Sequence, residues 1–80
     1  MMTVYLKGGG LLREYLQPDV DEYTRRVEVA EGRTLRQILE AIGIRPVHVA
    51  MAFVGNRLVN LAYVPSDGET ITLRPPVQGG

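Results

Sequence analysis

The chain has 80 residues, with nine basic and nine acidic side chains and no cysteine. This length suffices for one small domain, and the missing thiols exclude a disulfide framework, a thiolate metal site and a cysteine nucleophile. The balanced charge lacks the basic excess that nucleic-acid binders usually show, and no apolar segment is long enough to span a bilayer. The N-terminus lacks the charged-then-apolar order of a signal peptide. We therefore expect a cytoplasmic protein that contacts neither a nucleic acid directly nor a membrane.

Alternation of apolar and polar residues predicts the first part of a sheet. A first strand is expected over 3–7 and a second over 26–29, because one face of each segment is apolar. The inward-facing side chains would be Val4, Leu6, Val27 and Val29. Between the strands, 8–10 is predicted to be a glycine turn and 11–16 a short helical turn that ends before Pro18.

The clearest helix of the chain is predicted to begin after Thr34. Thr34 and Gln37 have the spacing of a capping box, in which each side chain satisfies the backbone N–H of the other residue. Apolar residues then recur at helical spacing and form one stripe, which consists of Leu35, Ile38, Leu39 and Ile42. Gly43 stands where a left-handed C-terminal cap is expected. We expect the stripe to pack against the sheet.

Three further strands complete the predicted sheet. A nearly continuous apolar run over 47–54 indicates a central strand, and a glycine turn leads to a short return strand over 57–59. The last strand, over 70–74, would lie inside the sheet with Ile71 and Leu73 facing inward. One main helix on one face of such a mixed sheet predicts an α+β fold of the β-grasp, or ubiquitin-like, type.

Residues that could carry catalysis are scarce within the predicted domain. His48 is the only histidine, and there is no second histidine or thiol with which it could hold a metal. Ser66 precedes Asp67 and Gly68 without the motif that surrounds a nucleophilic serine. We therefore expect a protein that is not itself an enzyme and that binds no metal or cofactor.

The C-terminal end of the chain is its most distinctive part. We expect a domain over 1–74 and a flexible tail over 75–80, which consists of Pro75, Pro76, Val77, Gln78, Gly79 and Gly80. The two prolines lack a backbone N–H, so they end the strand ladder and favour an extended chain. The two glycines would let the tail enter a narrow channel of another protein. The Gly80 carboxylate is then the one reactive group, and its activation needs a Mg²⁺-bound nucleotide held by a partner.

Over nearly its whole length, the sequence resembles the ThiS/MoaD family of ubiquitin-like sulfur carriers. Residues 12–14 resemble a short Leu-Arg-Glu segment of that family, and 27–35 resemble its second strand, turn and helix start. The strongest likeness is that of 73–80, which are similar to the "PPVxGG" tail of the MoaD branch, the small subunit of molybdopterin synthase. The turn at 66–70 and the triple glycine depart from the usual family pattern.

The resemblance implies a cycle of sulfur transfer. An E1-like adenylyltransferase would use MgATP to adenylate Gly80, and a persulfide enzyme or sulfide would replace AMP and leave a C-terminal thiocarboxylate. The charged carrier would then give its sulfur to an acceptor enzyme, which in the MoaD branch is the molybdopterin synthase large subunit. Sister carriers serve thiamin synthesis, cysteine synthesis or tRNA thiolation. The alternatives are a ubiquitin-like modifier joined through Gly80 to a lysine, and a purely structural β-grasp binding domain.

Docking on a partner needs a surface as well as a tail. The sheet face that the helix leaves uncovered is expected to expose apolar side chains, and such patches mark interaction sites. The candidates for this docking surface are Phe53, Val54, Leu58, Val59 and Leu73. We also expect at least half of these five side chains to pack under the helix or a loop.

Overall fold

The computed structural model describes residues 1–76. Its elements are, in chain order, β1 (Met2–Lys7), α1 (Leu12–Leu16), β2 (Thr24–Val29), α2 (Leu35–Ala41), a 3₁₀ turn (Pro46–His48), β3 (Met51–Val54), β4 (Arg57–Val59) and β5 (Thr70–Arg74). The strands form one five-stranded sheet in the order β2-β1-β5-β3-β4. β1 and β5 are parallel, and the other neighbouring strands are antiparallel. This is the predicted β-grasp arrangement, with β5 in the centre of the sheet.

Both helices pack on the same face of the sheet. Register places Val4 opposite Val27 and Leu6 opposite Ile71, and all four side chains are buried. The helices complete this core with Leu12, Leu16, Leu35, Ile38 and Leu39. Each such aliphatic side chain contributes about 1.5–3 kcal/mol when it is removed from water. The opposite face of the sheet carries no helix in the described part of the chain, and we call it the open face.

The ends of α2 follow the sequence prediction. The Thr34 N–H donates to Gln37 Oε1 at 2.9 Å, and the Gln37 N–H donates to Thr34 Oγ1 at 3.2 Å, so the capping box is complete. At the other end, Gly43 has a φ of +84°. The Ile44 N–H then reaches back to the Leu39 carbonyl at 2.9 Å, which is the hydrogen bond that closes a Schellman motif. The helix is therefore held at both ends by the residues that predict it.

The predicted strand over 47–54 is shorter than expected. Only Met51–Val54 forms β3, and Pro46–His48 forms the 3₁₀ turn before it. Pro46 occupies the first position of this turn, and the Val49 N–H donates to its carbonyl at 3.1 Å. Proline fixes φ near the helical value, so it favours this local turn over an extended chain. The prediction was wrong here because the apolar pattern cannot distinguish the two.

The loop before β5 is fastened to β1. The Thr3 N–H donates to Asp67 Oδ1, and the Gly68 N–H donates to the Thr3 carbonyl, each at 2.7 Å. Gly68 has a φ of +83°, which L-residues with a side chain rarely adopt. The sequence of this turn differs from the usual pattern of the ThiS/MoaD family. Its hydrogen bonds to Thr3 nevertheless anchor the start of β5 to β1.

Glu69 adds a second fastening at the same place. Its Oε1 accepts hydrogen bonds from the Ser66 N–H and the Tyr63 hydroxyl, each at 2.7 Å. These hydrogen bonds hold the pKa of the Glu69 carboxyl below its ordinary value. The bond from the Ser66 N–H has the larger effect, and the bond from the Tyr63 hydroxyl comes next. The same hydrogen bond to Glu69 is the main cause of a raised pKa for the Tyr63 phenol. Ionised Glu69 thus stabilises the connection that leads into the central strand.

Candidate functional site

The tail begins at the end of β5, which is the central strand of the sheet. Its residue Leu73 is 2% exposed, and Arg74 ends the strand. The Arg74 carbonyl accepts a hydrogen bond from the Ala50 N–H at 2.8 Å. Pro75 is half-buried and Pro76 is exposed. Because β5 is held by β1 on one side and β3 on the other, the tail begins from a fixed position.

The glycine turn after β1 packs against the tail root, the name we give to 73–76. A Cβ on Gly8 would lie 3.4 Å from the Leu73 carbonyl oxygen and 3.5 Å from Leu12 Cδ1. A Cβ on Gly10 would lie 4.0 Å from Pro75 Cγ, and Gly10 also has a φ of +59°. All three distances are ordinary van der Waals contacts, so it is the left-handed φ of Gly10, and not a lack of space, that favours glycine in this turn.

An apolar groove lies beside the tail root, toward α1. It encloses about 360 Å³ and is lined by Leu11, Leu12, Glu14, Tyr15, Val47, His48, Pro75 and Pro76. We call it the tail-root groove. The rings of Tyr15 and His48 stack within it, with centroids 4.2 Å apart and planes inclined by 15°. Leu11 and Val47 are 58% and 66% exposed, which is high for large apolar side chains.

A second apolar surface lies on the open face. Phe53 is opposite Leu58 in β4 and opposite Thr72 in β5, so these side chains lie in one row. Leu58 and Met51 are 60% and 44% exposed. The Arg74 guanidinium lies 5.5 Å from the centroid of the Phe53 ring, within the range of a cation–π interaction. Met51, Phe53 and Leu58 form what we call the sheet patch, and Arg74 borders it.

The five predicted docking residues do not form one surface. Leu73 lies in the core, opposite Ala52, so its assignment to a docking surface was wrong. Val54 and Val59 are partly buried and pack against the same core. Only Phe53 and Leu58 face the open side. The cause is the period of two along each strand, which sends alternate residues of β3, β4 and β5 to opposite faces.

Two features of the site were missed by sequence reasoning. Met51 is two residues before Phe53 in β3 and shares its face, so strand alternation alone could have identified it. No comparable pattern in the sequence indicates the tail-root groove. Its walls come from α1, the 3₁₀ turn and the tail root, which are far apart in sequence and meet only in the folded chain.

The strand residues of the open face carry an excess of positive charge. They include Lys7, Arg26 and Arg74, while Glu28 is their only acidic member within the strands described. Glu28 lies 3.6 Å from Arg26 in an exposed ion pair, which is worth little in stability. With Arg26 paired to Glu28, Lys7 and Arg74 account for the net positive charge of these strand residues.

The predicted reactive end lies outside the described residues. This applies to Gly80, at which activation is predicted, and to Val77, Gln78 and Gly79 of the predicted insertion segment. Their roles stay predictions, as does the division of the chain into a domain over 1–74 and a tail over 75–80.

Two further kinds of site are absent from the part of the chain that the structure describes. Within 1–76, no group of three histidine, cysteine, aspartate or glutamate side chains is placed to hold a metal ion. None of the helices in this part of the chain combines the length and the apolar composition needed to cross a membrane.

A mixed five-stranded sheet with one main helix and a central last strand defines a ubiquitin-like protein of the β-grasp fold. More specifically, the chain belongs to the Mut7-C ubiquitin family, whose sequence profile matches residues 1–79. No significant match is found among curated protein sequences.

Solved structures with the same fold include two of a modifier protein from Haloferax volcanii. One, described as small archaeal modifier protein 1, has a TM-score of 0.73 and 20% identity, covering 96% of this chain and 100% of that one. The other, described as SAMP1, has a TM-score of 0.69 and 21% identity, with coverage of 98% and 99%. A third structure, from Pyrococcus furiosus, is described as a molybdopterin converting factor, subunit 1. It has a TM-score of 0.70 and 21% identity, with coverage of 96% and 100%. These matches confirm the predicted ubiquitin-like fold and are consistent with the predicted resemblance to the ThiS/MoaD family.

Proposed function

We propose that this protein is a sulfur carrier that acts through the carboxylate of Gly80. The observation that carries the proposal is the course of β5. This central strand leads directly into the proline pair and from there, through Val77 and Gln78, to Gly79-Gly80. A tail with a fixed root and a terminus without side chains suits insertion into a narrow active site. The proposal requires that Gly80 carry a free α-carboxylate.

The proposed chemistry begins with activation, because an ionised carboxylate is a poor electrophile. A Gly80 carboxylate oxygen attacks the α-phosphorus of MgATP, and pyrophosphate leaves. Hydrosulfide then attacks the acyl carbon, the C–O bond to AMP breaks, and a thiocarboxylate remains. Both steps take place in an E1-like partner that holds the nucleotide and the Mg²⁺ ion. The contribution of this chain is an acyl carbon that no side chain of its own residue obstructs, four residues beyond Pro76 in sequence.

Partner recognition is assigned to the surfaces around the tail root. Arg74 borders the sheet patch, and Pro76 lines the tail-root groove. A partner that encloses the tail as it leaves β5 therefore meets apolar side chains on two sides. Central aromatic and arginine side chains often dominate binding energy, which identifies Phe53 and Arg74 as the main contacts.

For the acceptor, we propose an enzyme of molybdopterin synthesis, such as the molybdopterin synthase large subunit. The support is the "PPVxGG"-like tail, together with the similar fold of the Pyrococcus furiosus protein described as a molybdopterin converting factor. Acceptors in thiamin synthesis, cysteine synthesis or tRNA thiolation use the same tail chemistry and are the alternatives.

A protein modifier is the second candidate function. It is favoured by the fold shared with the Haloferax volcanii protein described as a small archaeal modifier. In this case, the activated Gly80 acyl group passes to a lysine amine instead of to sulfur. Both candidates share the adenylation step, so their products distinguish them.

The decisive experiment is intact-mass spectrometry of the full chain. The chain is incubated with MgATP, an E1-like adenylyltransferase and sulfide. A carrier gains the mass that corresponds to replacement of one terminal oxygen by sulfur. A modifier instead yields branched conjugates when target proteins are present. A variant that lacks Gly80 is the control. If this variant retains full function in cells, both candidates are wrong and the tail is incidental.

The docking surface is tested separately by affinity for the adenylyltransferase. Phe53→Ala and Leu58→Ala each remove part of the sheet patch, and each should weaken binding by about 1 kcal/mol or more. Val64→Ala is the matched control, because Val64 is also exposed, at 48%, but lies in the loop after β4. Equal affinities for all three variants would exclude the sheet patch as a contact.

A further inference from the structure

The basic residues of this chain are strongly biased toward arginine. Lys7 is the only lysine, and the other eight of the nine basic residues are arginines. The arginine guanidinium stays protonated in proteins and does not act as a nucleophile, whereas a lysine amine attacks acyl groups once it has lost its proton. Among the side chains of this sequence, the Lys7 ε-amine is therefore the one amine that can attack an activated acyl group.

Lys7 is accessible to another protein. It is the last residue of β1, it is exposed, and it lies on the open face between Thr24 of β2 and Thr72 of β5. Within residues 1–76, the only ion pair closer than 4.0 Å joins Arg26 to Glu28. No carboxylate of the described chain therefore holds the Lys7 amine in a salt bridge.

The surface next to Lys7 suits the approach of a narrow, extended chain. A cleft of about 310 Å³ begins at Lys7 and runs along the glycine turn to Pro75. Gly8, Gly9 and Gly10 contribute no side chains to it, and the Tyr23 ring borders it at Gly9. Gly8 is buried, but Gly9 is partly exposed and Gly10 is exposed, so this end of the cleft presents backbone against which another backbone without side chains can lie in close contact.

We propose that Lys7 is a modification site whose amine accepts the C-terminal glycyl group of a second copy of this chain. The inference rests on the proposed function, because the donor is the adenylated Gly80 of that copy. The neutral Lys7 Nζ attacks the acyl carbon and a C–N bond forms. The C–O bond to AMP breaks, AMP leaves with the electron pair, and the amine proton passes to solvent. The product is an isopeptide-linked dimer, which can be extended because its acceptor copy keeps its own tail.

The position of the tail root explains why the donor is a second copy. The cleft at Lys7 reaches Pro75 but not Pro76. Pro76 lines the tail-root groove instead, together with Tyr15 and His48. The chain thus leaves the cleft of Lys7 at the proline pair, whose fixed φ favours an extended backbone over a reversal at these two residues.

The test uses the full chain as a C-terminal thioester, which bypasses adenylation, and this donor carries an isotope label so that donor–acceptor dimers, the only ones counted, differ in mass from dimers of two donors. The acceptor is the full chain with Gly80 as its carboxamide, so that it cannot act as a donor. Two further acceptors are Lys7→Arg and the double variant Lys7→Arg with Arg36→Lys. Arg36 is exposed on α2, so the double variant moves the lysine to the helix side. Dimers are quantified and their linkage is mapped by mass spectrometry, with a free lysine peptide as a check of thioester reactivity.

We expect dimers linked through Lys7, none with Lys7→Arg, and about tenfold fewer when the lysine is moved to position 36, because orientation at the cleft favours the attack. Equal yields from both lysine positions, linkage only to Met1, a monomeric ring formed by the donor, or no dimer while the peptide reacts would each overturn the proposal. Since the thioester needs no adenylation, these results are independent of whether Gly80 is a substrate for an E1-like enzyme.

Discussion

Replacing Leu73 with alanine tests whether the last strand residue before Arg74 belongs to the core or to a contact surface. The Leu73 side chain is 2% exposed and lies on the helix face, opposite Ala52 of β3. Truncation of such a leucine removes its transfer energy and leaves a cavity, which together cost about 2–4 kcal/mol. A domain of this size has a total stability on the order of 5–10 kcal/mol, so the loss is a large fraction.

Thermal unfolding followed by circular dichroism measures this loss directly. Each kcal/mol shifts the midpoint of a domain of this size by about 4–8 °C, so Leu73→Ala should lower Tm by roughly 15 °C. Leu58→Ala provides the comparison, because it makes the same truncation on the open face, where Leu58 is 60% exposed. It should change Tm by no more than about 3 °C.

An exchange of behaviour between the two variants would contradict the burial of Leu73. A Tm for Leu73→Ala within about 3 °C of the parent, together with weakened partner binding, would place Leu73 on a surface. The register of β3 against β5 would then also be wrong, because a shift by one residue exchanges the faces.

Three further changes test the elements that position β5 and α2. Thr34→Ala removes the capping box and should lower the free energy of unfolding by about 1 kcal/mol, measured with urea. Thr34→Ser keeps a hydroxyl at this position and should retain most of the parent stability. Gly43→Ala forces a side chain into a φ of +84° and should cost about 1 kcal/mol in the same assay. Glu69→Gln should destabilise the fold by about 1 kcal/mol at neutral pH, since a hydrogen-bonded carboxylate is lost. This difference should disappear in acid, because the depressed pKa of Glu69 gives stability that is present above its unfolded value and lost as pH falls through the folded pKa.

Each of these expectations has a clear contrary result. A Thr34→Ala variant as stable as the parent would mean that water replaces the cap without cost. A neutral Gly43→Ala would show that the helix end relaxes out of the left-handed conformation. If Glu69→Gln destabilises equally at neutral and acid pH, the loss comes from packing and not from the ionised carboxylate.

The fold was largely predictable because local signals and the global pattern agree. The Thr34–Gln37 capping box, the apolar stripe of α2 and the left-handed Gly43 all lie within ten residues, and each acts through neighbours in sequence. The alternation in β1, β2 and β5 also identified the buried face. The prediction for 47–54 was partly wrong because a continuous apolar run has no periodicity that distinguishes a strand from a turn.

The docking residues were harder to predict because their role depends on which face of the sheet the helices cover. Phe53 and Val54 are adjacent and equally apolar, yet one faces the open side and the other packs on the core. The tail-root groove was beyond sequence reasoning for a related reason. Its stacked pair, Tyr15 and His48, is separated by more than thirty positions and is brought together only by packing of α1 and the 3₁₀ turn on the sheet.

If Gly80 reacts as proposed, the folded domain must provide the groups by which an activating enzyme recognises this protein. A glycyl carboxylate has the same intrinsic reactivity at the end of any chain, so an activating enzyme must recognise this protein by other groups. The groups with a fixed position relative to Pro75, where the tail begins, are those on β5 and its neighbours. Arg74 and Phe53 meet this condition, since they lie on central strands and contact each other. Loss of the Arg74 guanidinium should therefore weaken activation more than loss of Arg36, which lies on α2.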